Sequence, residues 1–139
     1  MRRVQTSSAA QTEALGAEVA ERLGLGDVVL VEGEMGAGKT TFVRGASRAL
    51  GVESPVTSPT FTVGQRYHGS VTVAHLDLLR IDHLDAEEPG FLSDYLGPDT
   101  IGFVEWPAAG DEELLALAQI AVRVRIAHAG GDRRVVEIE

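Results

Sequence analysis

The chain contains a single lysine, Lys39, and the residues around it are of the types that bind phosphate. Gly33-Glu34-Met35-Gly36-Ala37-Gly38-Lys39-Thr40 satisfies every constrained position of the Gly-x-x-x-x-Gly-Lys-Thr phosphate-binding loop. Glycines at 33, 36 and 38 let the backbone curl until several N–H groups point at one phosphate chain. Lys39 reaches the β- and γ-phosphates, and the Thr40 hydroxyl is of the type that ligates Mg²⁺. A helix opening just after the loop brings its positive end to the same anion.

Three further stretches carry chemistry-bearing residues. Val52 to Phe61 holds two prolines, Pro55 and Pro59, which forbid a helix, and the hydroxyls of Thr57, Ser58 and Thr60. It is either an ordinary connecting loop or a switch-like loop that closes on the γ-phosphate through Ser58 or Thr60. His75-Leu76-Asp77 ends a run with strand character, and an α/β sheet places ligand-binding groups at such ends. For His75 alone, a core histidine, or one standing behind the ligands, fits better than a direct metal ligand. Thr100-Ile101-Gly102-Phe103-Val104-Glu105-Trp106 is an apolar strand ending in an acid and an aromatic, the layout of a metal-anchoring Walker B strand with Glu in place of the usual Asp.

The elements that must position these groups are readable from periodicity. Val28-Val29-Leu30-Val31 is a short apolar, β-branched run of the kind found in buried parallel strands. Phe42, Val43, Ala46 and Leu50 recur at helical spacing, with Gly51 where a C-terminal cap belongs. Ahead of them, Leu15, Val19 and Leu23 define a packing helix over 9–23, started by a capping box of Ser8 and Gln11. Residues 60–67 and 71–75 read as an antiparallel hairpin, and 120–126 with 134–138 as a second, whose arginines 123, 125, 133 and 134 suit a solvated face. Short helices are expected at 82–88 and 91–96, and a Leu-rich one within 108–118.

Composition narrows the class. At 139 residues, 44% hydrophobic and 24% charged, the chain is sized for one globular domain spanning 1–139. A net charge of −9 makes it a poor unaided binder of a phosphate backbone. Cysteine is absent, which excludes disulfides and thiolate metal sites and fits a cytoplasmic chain. No apolar run approaches a membrane span, and the basic N-terminal start lacks the apolar core of a signal peptide.

Taken together, the phosphate loop with Thr41-Phe42 behind it, Ser58-Pro59-Thr60-Phe61, His75-Leu76-Asp77 followed by Arg80, and Glu105-Trp106-Pro107 resemble one family. It is the small bacterial ATPase of tRNA threonylcarbamoyladenosine biosynthesis, TsaE or YjeE. The likeness runs from Thr12 to Trp106 and fades after Pro107. It departs from the family's pattern at Leu79, where a tyrosine is usual, at Glu34 for aspartate and at Met35 for leucine.

The resemblance implies that Glu34, Gly36, Ala37, Gly38, Lys39, Thr40 and Thr41 hold ATP, with Ser8 and Thr12 near the base. It implies Mg²⁺ on Thr40 and Glu105, Asp77 serving the metal or the attacking water, Thr60 closing on the phosphates and Trp106 shaping the site. It also implies action with two partners, TsaD and TsaB, in a complex that modifies the adenosine beside the anticodon, tRNA touching this chain only indirectly.

Two other classes share the phosphate loop. A small-molecule P-loop kinase needs an arginine-bearing lid, which the middle of the chain does not offer. A nucleotide-gated binding module needs no hydrolysis at all. The expected architecture is an α/β, P-loop NTPase-like three-layer fold. Its central mixed sheet has strands 28–31 and 101–104 as neighbours or near neighbours, antiparallel hairpins at its flanks and helices around it.

Overall fold

The computed structural model describes residues 2–34, 36–57, 64–77, 96–106 and 120–139, the side chain of Trp106 excepted. Within these residues nine elements follow in chain order: β1 (Arg2–Thr6), α1 (Ala9–Ala20), β2 (Val28–Glu32), α2 (Lys39–Ala49), β3 (Gly64–His68), β4 (Thr72–Asp77), β5 (Thr100–Trp106), β6 (Ile120–His128) and β7 (Arg134–Ile138). The seven strands form one sheet in the order β1-β7-β6-β2-β5-β4-β3. The helices expected at 82–88, 91–96 and within 108–118 lie outside the described residues.

All five residues of β2 are buried, as its unbroken apolar run requires for a central strand. It pairs in parallel with β5 on one side, Val28 opposite Gly102, and with β6 on the other. β4 joins in parallel beyond β5, so β6, β2, β5 and β4 form a four-stranded parallel centre. The two hairpins are antiparallel within themselves, β3 with β4 and β6 with β7. Each therefore donates its inner strand to the parallel set, so only the outer strands of the hairpins run antiparallel to that centre.

β1 has no counterpart among the expected elements. It pairs antiparallel with β7 at the sheet edge, and only its last residue, Thr6, is buried. α1 stops at Ala20, short of the expected 23, where Arg22 and Leu23 N–H donate three residues back to Val19 and Ala20 and tighten the end.

α1 and α2 pack on each other and on the sheet face that carries Val29, Val31, Phe103, Val124 and Val136. The helices touch at glycines. A Cβ on Gly45 would meet Glu13 O at 1.9 Å, and one on Gly16 would meet Phe42 O at 2.2 Å. Leu30, Leu76 and Val104, which alternate onto the opposite face, are fully buried too, as the centre of a layered α/β fold demands.

Across the edge half of that opposite face the register lines up Arg3 with Glu137, Glu137 with Arg125 and Arg125 with Glu32. Charges alternate in sign along this row, which favours cross-strand attraction at each step. Among the described residues no helix is long and apolar enough to cross a membrane.

Candidate nucleotide and metal site

β2, β5 and β4 run parallel and end at Glu32, Trp106 and Asp77, so their C-terminal ends share one edge, where open α/β sheets bind ligands. The phosphate loop leaves β2 at that edge and turns into α2. The turn is possible because Gly36 and Gly38 take φ values of +79° and +108°, which disfavour any residue with a Cβ. Gly38 caps α2 with no side chain, leaving the first-turn N–H groups of the helix to the loop's mouth.

Lys39 folds back along this loop. Its Nζ donates to Gly33 O and, at 3.2 Å, to Glu34 O, which pins the ammonium beside the loop's opening. Burial holds Lys39 below its usual pKa of 10.5, against the opposing pull of the Glu105 and Asp77 carboxylates. Both acids thus act on the lysine although they come from β5 and β4.

Next along α2, the Thr40 hydroxyl is 3.1 Å from each carboxylate oxygen of Glu105 and donates to that group. Glu105 is buried, and its Oε2 accepts from Nε2 of His75, which is wholly buried on β4. Asp77 stands opposite Glu105 in the β4–β5 register. Four sequence-predicted residues, Lys39, Thr40, Asp77 and Glu105, therefore meet at one strand edge, and His75 stands behind them.

Oxygen donors from a hydroxyl and two neighbouring carboxylates suit a hard cation such as Mg²⁺. Among the described residues no three His, Cys, Asp or Glu side chains gather as a self-sufficient metal cage. Mg²⁺ calls for less than such a cage, one or two protein ligands acting with phosphate oxygens and water. The residues present fit the ion.

Thr12, Gly38 and Thr41 line a small cavity of about 60 Å³ beside the loop, together with Ala9, Asp132 and Arg134. Thr12 is buried there with its hydroxyl 2.8 Å from that of Thr6. Ser8 is the N-cap of α1, its Oγ accepting from Gln11 N at 3.2 Å. The capping box is not fully reciprocal, because Gln11 Oε1 accepts from Ser7 N instead of Ser8 N. Glu34 contributes its carbonyl to Lys39. With Ala37, it also borders a larger cleft of about 590 Å³ on the loop's other flank. Thr60 and Ser58 lie outside the described residues, as does the side chain of Trp106, whose backbone ends β5.

Sequence reasoning missed two contributions from the C-terminal hairpin, whose arginines it assigned to a solvated face. Arg134 Nε donates to Ala37 O at 2.8 Å and its Nη2 to Gly36 O at 3.4 Å, tying β7 to the phosphate loop. Arg123 and Arg125 each pair with one oxygen of buried Glu32, at 2.7 and 3.1 Å, immediately before the loop begins. The signal available was strand alternation, which puts 123 and 125 on one face. What they face depends on the β2–β6 pairing.

Comparison with known proteins identifies relatives of this chain in sequence and in fold. Residues 6–136 match the model of the family "Threonylcarbamoyl adenosine biosynthesis protein TsaE", so the likeness extends through the C-terminal hairpin instead of fading after Pro107. The chain is 34% identical to the tRNA threonylcarbamoyladenosine biosynthesis protein TsaE of Bacillus subtilis, over 95% of this chain and 81% of that one. It is 40% identical to the TsaE protein of Streptomyces coelicolor, over 85% of this chain and 80% of that one. For the Synechocystis TsaE protein, 37% identity spans 69% of this chain and 64% of the relative, under two-thirds of its length. The crystal structure of YdiB from Bacillus subtilis superposes with a TM-score of 0.74 at 28% identity, over 97% of this chain and 82% of that one.

Proposed function

Because this chain belongs to the TsaE family of threonylcarbamoyladenosine biosynthesis proteins, we propose that it binds and hydrolyses ATP with Mg²⁺ as a subunit of a tRNA-modifying assembly. The observation that carries the reading is the meeting of Lys39, Thr40, Glu105 and Asp77 at the C-terminal edge of β2, β5 and β4.

Hydrolysis of a phosphoanhydride is mostly positioning and charge stabilisation. The loop N–H groups and Lys39 hold the phosphates at the start of α2. Thr40 and Glu105 hold the cation's place, and Mg²⁺, when bound, offsets charge on the phosphate oxygens. Asp77 sits one strand over, in reach of that place or of an attacking water. Thr60 is assigned to closing on the γ-phosphate and Trp106 to walling the site.

The partners are TsaD and TsaB, and the product of their joint action is threonylcarbamoylated adenosine next to the anticodon. An acidic chain of net charge −9 suits a subunit that leaves tRNA contact to its partners. ATP turnover measured with this chain alone, with TsaD and TsaB, and with tRNA added tests the reading. Turnover that rises with the partners and disappears in Lys39→Ala supports it. Absence of ATP binding under all conditions overturns it.

A further inference from the structure

His75 is an expensive residue to bury. Its side chain is wholly inaccessible, Nε2 is bonded to Glu105, and among the described residues Nδ1 has no hydrogen-bond partner. A buried polar atom left without a partner costs stability, and an apolar side chain of similar volume on β4 would avoid that cost. Neighbours on both sides of the strand, Ala74 and Leu76, are apolar and fully buried, so packing alone does not call for an imidazole.

Glu105, by contrast, has much to gain from it. The carboxylate is 3% exposed, and among the described residues its other bonded partner is the Thr40 hydroxyl. A carboxylate only accepts, so the proton of the pair sits on His75 Nε2. That bond fixes Oε2 and stops the carboxylate rotating. The Thr40 hydroxyl stays 3.1 Å from both oxygens, and Oε1 carries no bond to the imidazole. Thr40 donates its hydroxyl proton to the same carboxylate, which leaves its lone pairs free to face a cation.

We propose that His75 is the positioning residue of the cation site: it orients Glu105, and through it Thr40, for a divalent ion held with the nucleotide. The proposal rests on the Mg²⁺–ATP reading above. His75 does not touch the ion or the phosphates. Its contribution is the fixed orientation of a ligand whose own rotation would otherwise be lost on binding.

The experiment compares His75→Met with His75→Gln, two side chains of similar length, of which only Gln keeps a donor that reaches Glu105. Mn²⁺ serves as the probe, titrated by electron paramagnetic resonance against protein saturated with a non-hydrolysable ATP analogue. Metal-free affinity for the analogue and melting temperature are measured in parallel. The expected result is at least a tenfold loss of Mn²⁺ affinity in His75→Met and a loss within about threefold in His75→Gln. Metal-free nucleotide affinity should be unchanged in both, and His75→Met should melt no lower than His75→Gln.

A merely structural histidine would give the opposite order, because Met fills an apolar site at least as well as Gln. Mn²⁺ affinity in folded His75→Met within twofold of wild type overturns the proposal while leaving the ATP reading intact. Wild-type protein that binds no nucleotide overturns both. A measurement on the unmutated protein guards against variants that fail to fold. With ¹⁵N-labelled histidine, the His75 proton should be found on Nε2, and a proton on Nδ1 alone overturns the assignment.

Discussion

Asp77 and Glu105 stand opposite each other at the C-terminal edge of adjacent parallel strands, two acids side by side near the phosphate loop. Like charges directly across a sheet repel, and the Lys39 ammonium, drawn by both carboxylates, offsets part of that repulsion. Asp77→Asn should reduce the extra stabilisation that Mg²⁺ adds to that of ATP. Asp77→Ala and Glu105→Ala should each slow ATP hydrolysis in the assembled complex at least tenfold, or about 1.4 kcal/mol of barrier. ATP binding should survive Asp77→Ala better than Lys39→Ala, since in the proposed complex the loop would make most of the phosphate contacts. Wild-type turnover in either carboxylate variant would remove that residue from the mechanism.

Lys39 predicts a pH dependence with a definite sign. Its folded-state pKa lies below 10.5, chiefly because of burial. Between those two values the unfolded chain holds a proton that the folded chain has released, so stability rises with pH across that window. Below it, charged Lys39 weakens the nucleotide-free fold. Lys39→Met should raise the melting temperature near neutrality and flatten the alkaline rise. A bound triphosphate favours the charged lysine, so ATP affinity should fall as pH climbs through the same window. Melting curves with and without ATP, from about pH 7 to about pH 10, check both signs. An alkaline rise of the same slope in Lys39→Met would assign the effect to another group.

What was legible in the sequence was what is local. Val28 to Val31 announces a buried strand by composition, and Gly36, Gly38, Lys39 and Thr40 announce a phosphate loop by spacing. The run ending in Glu105 shows its acid at the right end, and the two strands proved to be direct neighbours. β1 was not legible, because Arg2–Thr6 opens on two arginines and buries only Thr6, too little for a period-two signal. His75 showed its place on the strand, whereas its bond to Glu105 depends on the β4–β5 pairing. Arg134 lies 97 residues from Ala37, and nothing near it in sequence indicates that contact. Long-range pairing decides such roles, and a single sequence does not display it.

The Arg134 contact is testable in the C-terminal hairpin. Its guanidinium donates to the loop carbonyls of Ala37 and Gly36 while also bonding Gly131 O and Arg133 O at 2.8 Å each. It thereby fixes the phosphate loop against β7. Arg134→Ala should weaken ATP binding by about 1.5 kcal/mol, roughly tenfold, through a looser loop. Arg134→Lys should recover only part of that, because one ammonium cannot span carbonyls that the planar fork reaches together. Calorimetric titration of ATP into the three proteins decides it. Equal affinities would mean that the loop holds its shape without this residue.

The last prediction concerns Glu32, the residue before Gly33. Its side chain is 4% exposed, and its two oxygens accept separately from Arg123 Nε at 2.7 Å and Arg125 Nε at 3.1 Å. Breaking a fully buried ion pair costs about 3–5 kcal/mol, because a desolvated charge loses its partner. The arginines here are 23% and 47% exposed, so water can take over part of their solvation. Glu32→Ala should accordingly cost about 2–3 kcal/mol of stability, below that range. Arg123→Ala should cost less than this, and Arg125→Ala, with the more exposed guanidinium, the least, under about 1 kcal/mol. Salt should erode the Arg125 share before the Arg123 share, since screening acts on the exposed partner. Urea unfolding of the three single variants and the Glu32/Arg123 double variant, at low and high salt, measures the order and the coupling. A Glu32→Ala protein as stable as wild type would show that this carboxylate is dispensable to the fold around the loop.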